Sequence, residues 1–251
     1  MVSGLQTAGS AMHAQTERLA VLANNLANVN SAGYKADHPE FFQLLTSPRA
    51  AGSVSPTGPA APLPELPGEV QTRTDFTAGA LKVTGNALDL AIEGPGFFAV
   101  RTAAGDLRLT RAGTFLRTVN GALTTADGAA VLGPDRQPLT LPEGVRIEID
   151  ETGQISVDGA QVGALLVVEL PDPEVLRKEA GTRFIVPDDA ALAPAQGSRV
   201  RQGAIELSNV NAIATLVDMI DALRVYEAAQ RSARSVDDTV RRAVNEVGRP
   251  V

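Results

Sequence analysis

The 251-residue chain has no cysteine, which excludes disulfides, thiolate metal sites and cysteine nucleophiles. Stability must therefore come from packing, hydrogen bonds or association. Tryptophan is absent, tyrosine occurs twice, and aromatics make up 4% of the residues, too few for a deep aromatic ligand pocket. The only histidines, His13 and His38, lack the paired spacing that a metal site or a Ser-His-Asp arrangement needs. Basic residues number 22 against 29 acidic ones, and the net charge of −7 disfavours nucleic acid as a partner. No run approaches the roughly 18 apolar residues of a membrane span. The opening Met1-Val2-Ser3-Gly4-Leu5-Gln6-Thr7 has neither a basic start nor an unbroken apolar block, so no Sec signal peptide is expected.

What is present is enough apolar sequence, 44%, to bury a core, and it is patterned differently at the ends and in the middle. From Ser3 to about Asn28, Leu5, Ala8, Met12, Leu19, Leu22, Leu26 and Val29 follow a three-then-four spacing in which only Gln15 is polar, the pattern of a coiled-coil seam. Ser3 with Gln6 reads as a capping box, and Gly33 suits the left-handed position that closes a helix or turns the chain. Such a helix is roughly 39 Å long, too long for a small domain to bury its stripe. Between Met1 and Ser31 only Glu17 and Arg18 are charged. An Ala-rich helix inside one globular domain accounts for this, and so does a helix enclosed by several neighbours.

From Ser208 to about Val247 there is neither proline nor glycine. Ile213, Leu216, Ile220 and Leu223 lead into Tyr226, Ala229, Ala233, Val236, Val240, Ala243 and Val247, with a three-residue step near Leu223 that would overwind a coiled coil. Acid precedes base by four residues at Glu227/Arg231, Asp237/Arg241 and Asp238/Arg242, which supports the helix. Two long helices with narrow seams can pair antiparallel, so the termini are expected to form one discontinuous coiled-coil domain.

The middle reads as β structure. Six prolines between Pro48 and Gly68 mark a linker or extended arm, placed at residues 36–73. Beyond it, apolar runs at 88–92, 97–100, 107–109, 145–149, 155–157 and 162–170 are separated by turn signals. These are Asn120-Gly121, Asp127-Gly128, Glu151-Thr152-Gly153 and Asp158-Gly159. The fold class is thus α+β, an all-β domain at residues 74–202 inserted between helical segments at 1–35 and 203–251.

Three ordered segments resemble the bacterial flagellar rod and hook axial proteins. The first is Asn24-Asn25-Leu26-Ala27-Asn28-Val29-Asn30-Ser31-Ala32-Gly33-Tyr34-Lys35. The second is Gly79-Ala80-Leu81 with Thr84-Gly85-Asn86-Ala87-Leu88-Asp89-Leu90-Ala91-Ile92-Glu93-Gly94 and Gly96-Phe97-Phe98, followed by Thr110-Arg111-Ala112-Gly113-Thr114-Phe115. The third is Gly203-Ala204-Ile205-Glu206-Leu207-Ser208-Asn209-Val210-Asn211 with Met219-Ile220, Arg224 and Tyr226-Glu227. The proline-rich arm and residues 171–200 carry no such motif. The resemblance implies a structural subunit of the basal-body rod, not an enzyme and without cofactor, whose terminal helices form an inner tube around an export channel. It implies other copies and neighbouring rod and hook proteins as partners, delivery by the flagellar type III export apparatus, and a place in the rod crossing the periplasm. The short distance between the two front motifs fits the proximal rod protein better than the distal one. Ends that order only on assembly would suit export as an unfolded chain.

The candidate assembly interface comprises Leu5, Met12, Leu19, Leu22, Leu26, Ile213, Leu216, Ile220, Leu223, Tyr226, Val236 and Val240, with the amides of Asn24, Asn25, Asn28 and Asn209. The asparagines serve equally well as caps and turn formers, and Ser208, Asn209 and Asn211 all suit the start of the last helix. Gly33, Gly85, Gly94 and Gly96 are expected to serve backbone geometry. Gly94-Pro95-Gly96 lacks the third glycine and the following helix of a nucleotide loop, and Pro95 removes a donor that a phosphate would need. The adjacent carboxylates Asp150-Glu151 and Asp188-Asp189 read as solvated turns. Two other functions are open. A glycan hydrolase with rod-type ends would need facing carboxylates, which the spacing of Asp106, Asp127, Asp135, Asp150 and Asp172 does not suggest. A soluble coiled-coil export adaptor would leave the β segment unexplained.

Overall fold

In the computed structural model the described residues are 2–41, 70–144, 146–179, 181–187 and 192–247. The proline-rich run, Asp188-Asp189 and Val145 lie outside them, as do the side chains of Leu5 and Val240. In chain order the elements are α1 (Val2–Ala27), β1 (Asp37–Phe41), β2 (Val70–Thr74), β3 (Leu81–Val83), β4 (Leu90–Glu93), β5 (Phe97–Arg101) and β6 (Leu107–Thr110). Next come β7 (Phe115–Arg117), β8 (Leu123–Thr125), β9 (Ala130–Val131), β10 (Ile147–Ile149), β11 (Gln154–Val157), β12 (Ala160–Ala164) and β13 (Val167–Glu169). A short 3-10 turn (Pro173–Val175) precedes β14 (Arg177–Lys178), β15 (Arg183–Ile185), β16 (Ala193–Pro194), β17 (Arg199–Gln202), β18 (Ala204–Glu206) and α2 (Ala212–Val247). Two helices thus flank a β-rich region, an α+β chain.

The chain divides into two compact units. One comprises Met1–Asn24, Asp37–Arg73 and Ile213–Val251, the other Asn25–Ala36 and Thr74–Ala212.

The second unit is built on a nine-stranded sheet. Its main path runs β14-β15-β6-β5-β9-β8-β7, with β13 also pairing with β5 and with β16. Strand β5 shows why the sequence Phe97-Phe98-Ala99-Val100 is apolar without alternation. Successive side chains leave a strand on opposite faces, and both faces are covered. Phe98 and Val100 enter a core with Leu90, Phe115 and Leu141, while Phe97 and Ala99 enter another with Leu109, Leu132 and Phe184. Five of the seven phenylalanines gather in these cores. Phe76, Phe97 and Phe184 stack within 5.2 to 5.8 Å, and Phe98 meets Phe115 edge-on at 5.1 Å.

Turn chemistry sets the local hairpins. Asp158 and Gly159 both have positive φ, 51° and 85°, the two-residue turn that suits the twist of β11 and β12. The apolar run 162–170 is divided between β12 and β13. Two ladders join distant parts of the sequence. Strand β4 pairs antiparallel with β17, and β3 with β18, so the segment entering the sheet region lies beside the one leaving it.

Helix α1 begins at Val2, which puts Ser3 inside the first turn rather than at the N-cap that a capping box requires. Helix α2 begins at Ala212, after Asn211. No described helix is long and apolar enough to cross a membrane.

Candidate functional site

The second unit holds one buried cluster of charges, and each of the three motifs contributes one residue to it. Gly33 ends the turn after α1 with φ 68°, and its N–H donates to the Glu206 carbonyl at 2.8 Å. A Cβ here would stand 2.2 Å from the Ala112 backbone nitrogen, so only glycine lets the first and second motifs approach this closely. The chain then carries Tyr34 and Lys35 inward, each about 1% exposed.

Lys35 Nζ donates to Glu206 Oε1 at 2.6 Å and to the Thr77 carbonyl at 2.7 Å. The same Glu206 oxygen accepts the Gly79 N–H at 2.9 Å, and Oε2 faces Arg111 Nη1 at 3.4 Å. Arg111 also donates to the carbonyls of Ile92 and Gly94, and its guanidinium lies 4.9 Å from the Phe97 ring centroid. Burial pushes the Lys35 ammonium below the usual lysine range, while Glu206 acts in the opposite sense. Burial likewise lowers Arg111, again opposed by Glu206. One carboxylate therefore compensates two desolvated cations, and removing it would strand both.

A second layer fixes the first motif. Tyr34 Oη donates to Asn25 Oδ1 at 3.1 Å, and the Lys178 ammonium lies 3.6 Å from the centre of the Tyr34 ring while donating to the Lys35 carbonyl. Asn209 Oδ1 accepts the Ala36 N–H at 2.7 Å, and its amide nitrogen donates to the Asp75 carbonyl at 2.9 Å and to Thr77. Asn209 thus ties residues 36, 75 and 77 together, while Ser208 Oγ accepts from Val210 N in a local turn.

Of the other residues singled out in the sequence, Asn28 accepts from Ser31 Oγ, Asn25 is buried and Asn24 is exposed. Gly85 and Gly94 have φ of 75° and 123°, and Gly96 packs against Val167 and Ser198. His13 and His38 are exposed, and among the described residues no three His, Asp or Glu side chains are grouped to hold a metal.

The two helices present a different surface. On α1, Leu22 is buried, and Met12, Leu19 and Leu26 are half-buried. On α2, Ala212, Thr215, Met219, Ala222, Tyr226, Ala229, Ala233 and Val236 form one face of buried or half-buried residues in unbroken three-then-four spacing. There is no step at Leu223. The larger side chains Ile213, Leu216, Ile220 and Leu223 lie one position away and are open, with Ile213 77% and Ile220 50% exposed. Their stripe sits roughly 100° around the helix from the covered face. Arg18 Nη2 stands 3.9 Å from Asp218 Oδ1.

Sequence comparison accounts for the meeting of three motifs. Family models match residues 5–35 (flagella basal body rod protein), 91–157 (flagellar hook protein FlgE/F/G D1 domain) and 201–246 (flagellar basal body rod FlgEFG protein C-terminal). The flagellar basal-body rod protein FlgG of Agrobacterium fabrum is 33% identical, over 93% of this chain and 95% of its own. The chain belongs to the flagellar basal-body rod protein family. The Escherichia coli rod protein FlgF is likewise 33% identical, over 97% of both chains, and the Bacillus subtilis hook-basal body complex protein FlhO is 31% identical over 99% of this chain and all of its own. Rod-family relatives of both names thus align from end to end. The charge cluster occupies the three matched segments or their immediate flanks: Lys35 closes the first, Arg111 lies in the second, and Glu206 opens the third.

Proposed function

We propose that the chain is a non-enzymatic structural subunit of the bacterial flagellar basal-body rod. Its terminal helices pair antiparallel over their covered faces and polymerise into an axial shaft around an export channel, with the β-rich unit outside. In this reading residues 1–35 and 203–251 act as one discontinuous coiled-coil domain, 36–73 as an arm and 74–202 as the outer domain. The partners are other copies and neighbouring rod and hook proteins, with the export apparatus delivering the chain across the periplasm. The short interval between the front motifs favours the proximal position in the rod.

The observation that carries this reading is the open apolar stripe of α2. A helix that covers Ala222 completely while exposing Ile213, Leu216, Ile220 and Leu223 leaves a stripe of branched aliphatic side chains available to a partner. Neighbours related by a contact that does not close on itself build a helical filament. An acid catalyst among the turns is disfavoured at Asp150, whose carboxyl is held below the usual range chiefly by the Thr152 hydroxyl, whereas a glycosidase acid needs the opposite shift.

The test is assembly of the full chain. Purified protein at rising concentration is expected to give filaments or tubes by electron microscopy and sedimentation. The variant with Leu216→Glu and Ile220→Glu should remain a folded monomer and fail to restore motility in a rod-deficient strain. A variant that assembles like the parent, or a parent that stops at a closed dimer, would overturn the proposal.

A further inference from the structure

The first motif is bound to the β-rich unit without belonging to its sheets. We propose that residues 25–36 form a latch, which docks only on a completed β-rich unit and opens without unfolding it. The latch stands apart from the rod-subunit reading, because a single dilute chain contains all of its parts.

The segment holds its own shape. The Asn28 N–H donates to the Asn25 carbonyl and the Ser31 N–H to the Asn28 carbonyl, each at 3.1 Å, the Tyr34 N–H donates to the Ser31 carbonyl at 3.3 Å, and the Tyr34 hydroxyl reaches back to Asn25. Among the described residues none of 25–36 lies in a strand, and none enters either of the two cores that meet at β5. Lifting the segment away therefore breaks no ladder and opens neither core. What it breaks are bonds to residues far along the chain. The Gly33 N–H leaves the Glu206 carbonyl, the Ala36 N–H leaves Asn209, and the Ala36 carbonyl leaves the Asp75 N–H. Lys35 leaves Glu206 and Thr77, and Lys178 leaves the Lys35 carbonyl. These partners come from positions 75 to 209, so the docking site exists only once that whole span has folded. A latch built from the first and last motifs marks a completely folded chain.

Charge makes both positions of the latch tolerable. Closed, the buried Lys35 ammonium is offset by Glu206. Open, Lys35 returns to water while Glu206 keeps Arg111 at 3.4 Å, so no charge is left buried alone. Glu206 itself stays in place, because β18 is held by β3 with Glu206 opposite Leu81. Taking Lys35 out of water subtracts from the free energy gained on docking, and a segment that gains less than the sheet opens first.

Amide exchange in the dilute full chain, followed residue by residue by NMR, tests the latch. The Gly33 and Ala36 N–H groups should exchange about tenfold or more faster than those of Ala99 and Leu132, which donate inside the β-rich unit. Exchange of all four at one rate would overturn the proposal. Lys178→Ala, which removes one bond to the segment, should speed Gly33 and Ala36 about tenfold and leave Ala99 and Leu132 within about twofold. Acceleration of all four alike, or of none, would also overturn it. Asn209→Ala removes the acceptor of the Ala36 N–H, whereas Gly33 donates to Glu206. If the segment opens as one body, Gly33 should accelerate to within about threefold of the change at Ala36. A change confined to Ala36 would show separate local fraying and would overturn the latch.

Discussion

The β-rich unit and the helical unit dispose of apolar surface in opposite ways. Strand β5 sends Phe97 and Ala99 to one core and Phe98 with Val100 to another, leaving none of the four exposed.

 Helix α2, by contrast, covers Ala222 and leaves Ile213 and Ile220 in the open. The difference teaches where each unit completes its burial: the sheet does so within one chain, whereas α2 leaves a stripe of large apolar side chains exposed. Changes inside the β-rich unit should therefore alter the stability of a dilute monomer, and changes on the α2 stripe should alter association.

The largest effect is expected at Glu206. Glu206→Ala would strand the buried Lys35 and Arg111, at a cost of about 3–5 kcal/mol in denaturant unfolding of the dilute monomer. Glu148→Ala, which removes an exposed partner of Arg146, should cost less than about 1 kcal/mol. Equal costs for the two changes would break the contrast between a buried knot and a solvated pair.

A smaller effect is expected at Gly33. Gly33→Ala must hold a non-glycine residue at φ 68° and drive its Cβ against the Ala112 backbone, for a loss of about 1–3 kcal/mol. Gly128→Ala has a similar φ of 84° but open space around the new Cβ, so it should cost about 1 kcal/mol. The gap between the two isolates the close approach of the first two motifs, and its absence in thermal or denaturant unfolding would show that this approach relaxes cheaply.

Much of the local structure was legible because short-range chemistry decides it. Asp158-Gly159 turns between β11 and β12 as its residue types require, and the unbroken run at Phe97 marks a strand covered on both faces. The pairing of β4 with β17 and of β3 with β18 was not legible, since more than a hundred residues separate the partners and no local pattern encodes a register between them. The face of α2 was legible only in its second half. Before Leu223 the large residues Ile213, Leu216 and Ile220 draw the apparent seam one position away from Ala212, Thr215, Met219 and Ala222, the covered face, whose side chains are mostly small. Hydrophobic weight marks burial in a monomer, but it misplaces the inner face when the largest apolar side chains point outward. The charge cluster was missed although Lys35, Arg111 and Glu206 each stand within a segment singled out for its motif. The available signal was that each is the only charge in its continuous run, Lys35 in 24–35, Arg111 in 110–115 and Glu206 in 203–211.

The smallest effect is expected at Asp150, and it depends on pH. Its carboxylate accepts the Thr152 hydroxyl at 2.7 Å and the N–H groups of Thr152 and Gln154, each at 2.9 Å, closing the turn between β10 and β11. These bonds, the Thr152 hydroxyl foremost, hold its carboxyl below the usual aspartate range. A group whose pKa is lower in the folded chain binds its proton more readily in the unfolded one, so its stabilising contribution is present above the unfolded value of about 3.9 and is lost as pH falls through the folded value. Asp150→Asn should therefore be less stable than the parent at neutral pH, with the deficit shrinking below about pH 4. Because the turn lies in the β-rich unit, the deficit should not change with protein concentration. A deficit that persists undiminished in acid would mean that the turn depends on the shape of the side chain rather than its charge, and one that grows with dilution would place this turn among the surfaces that association completes.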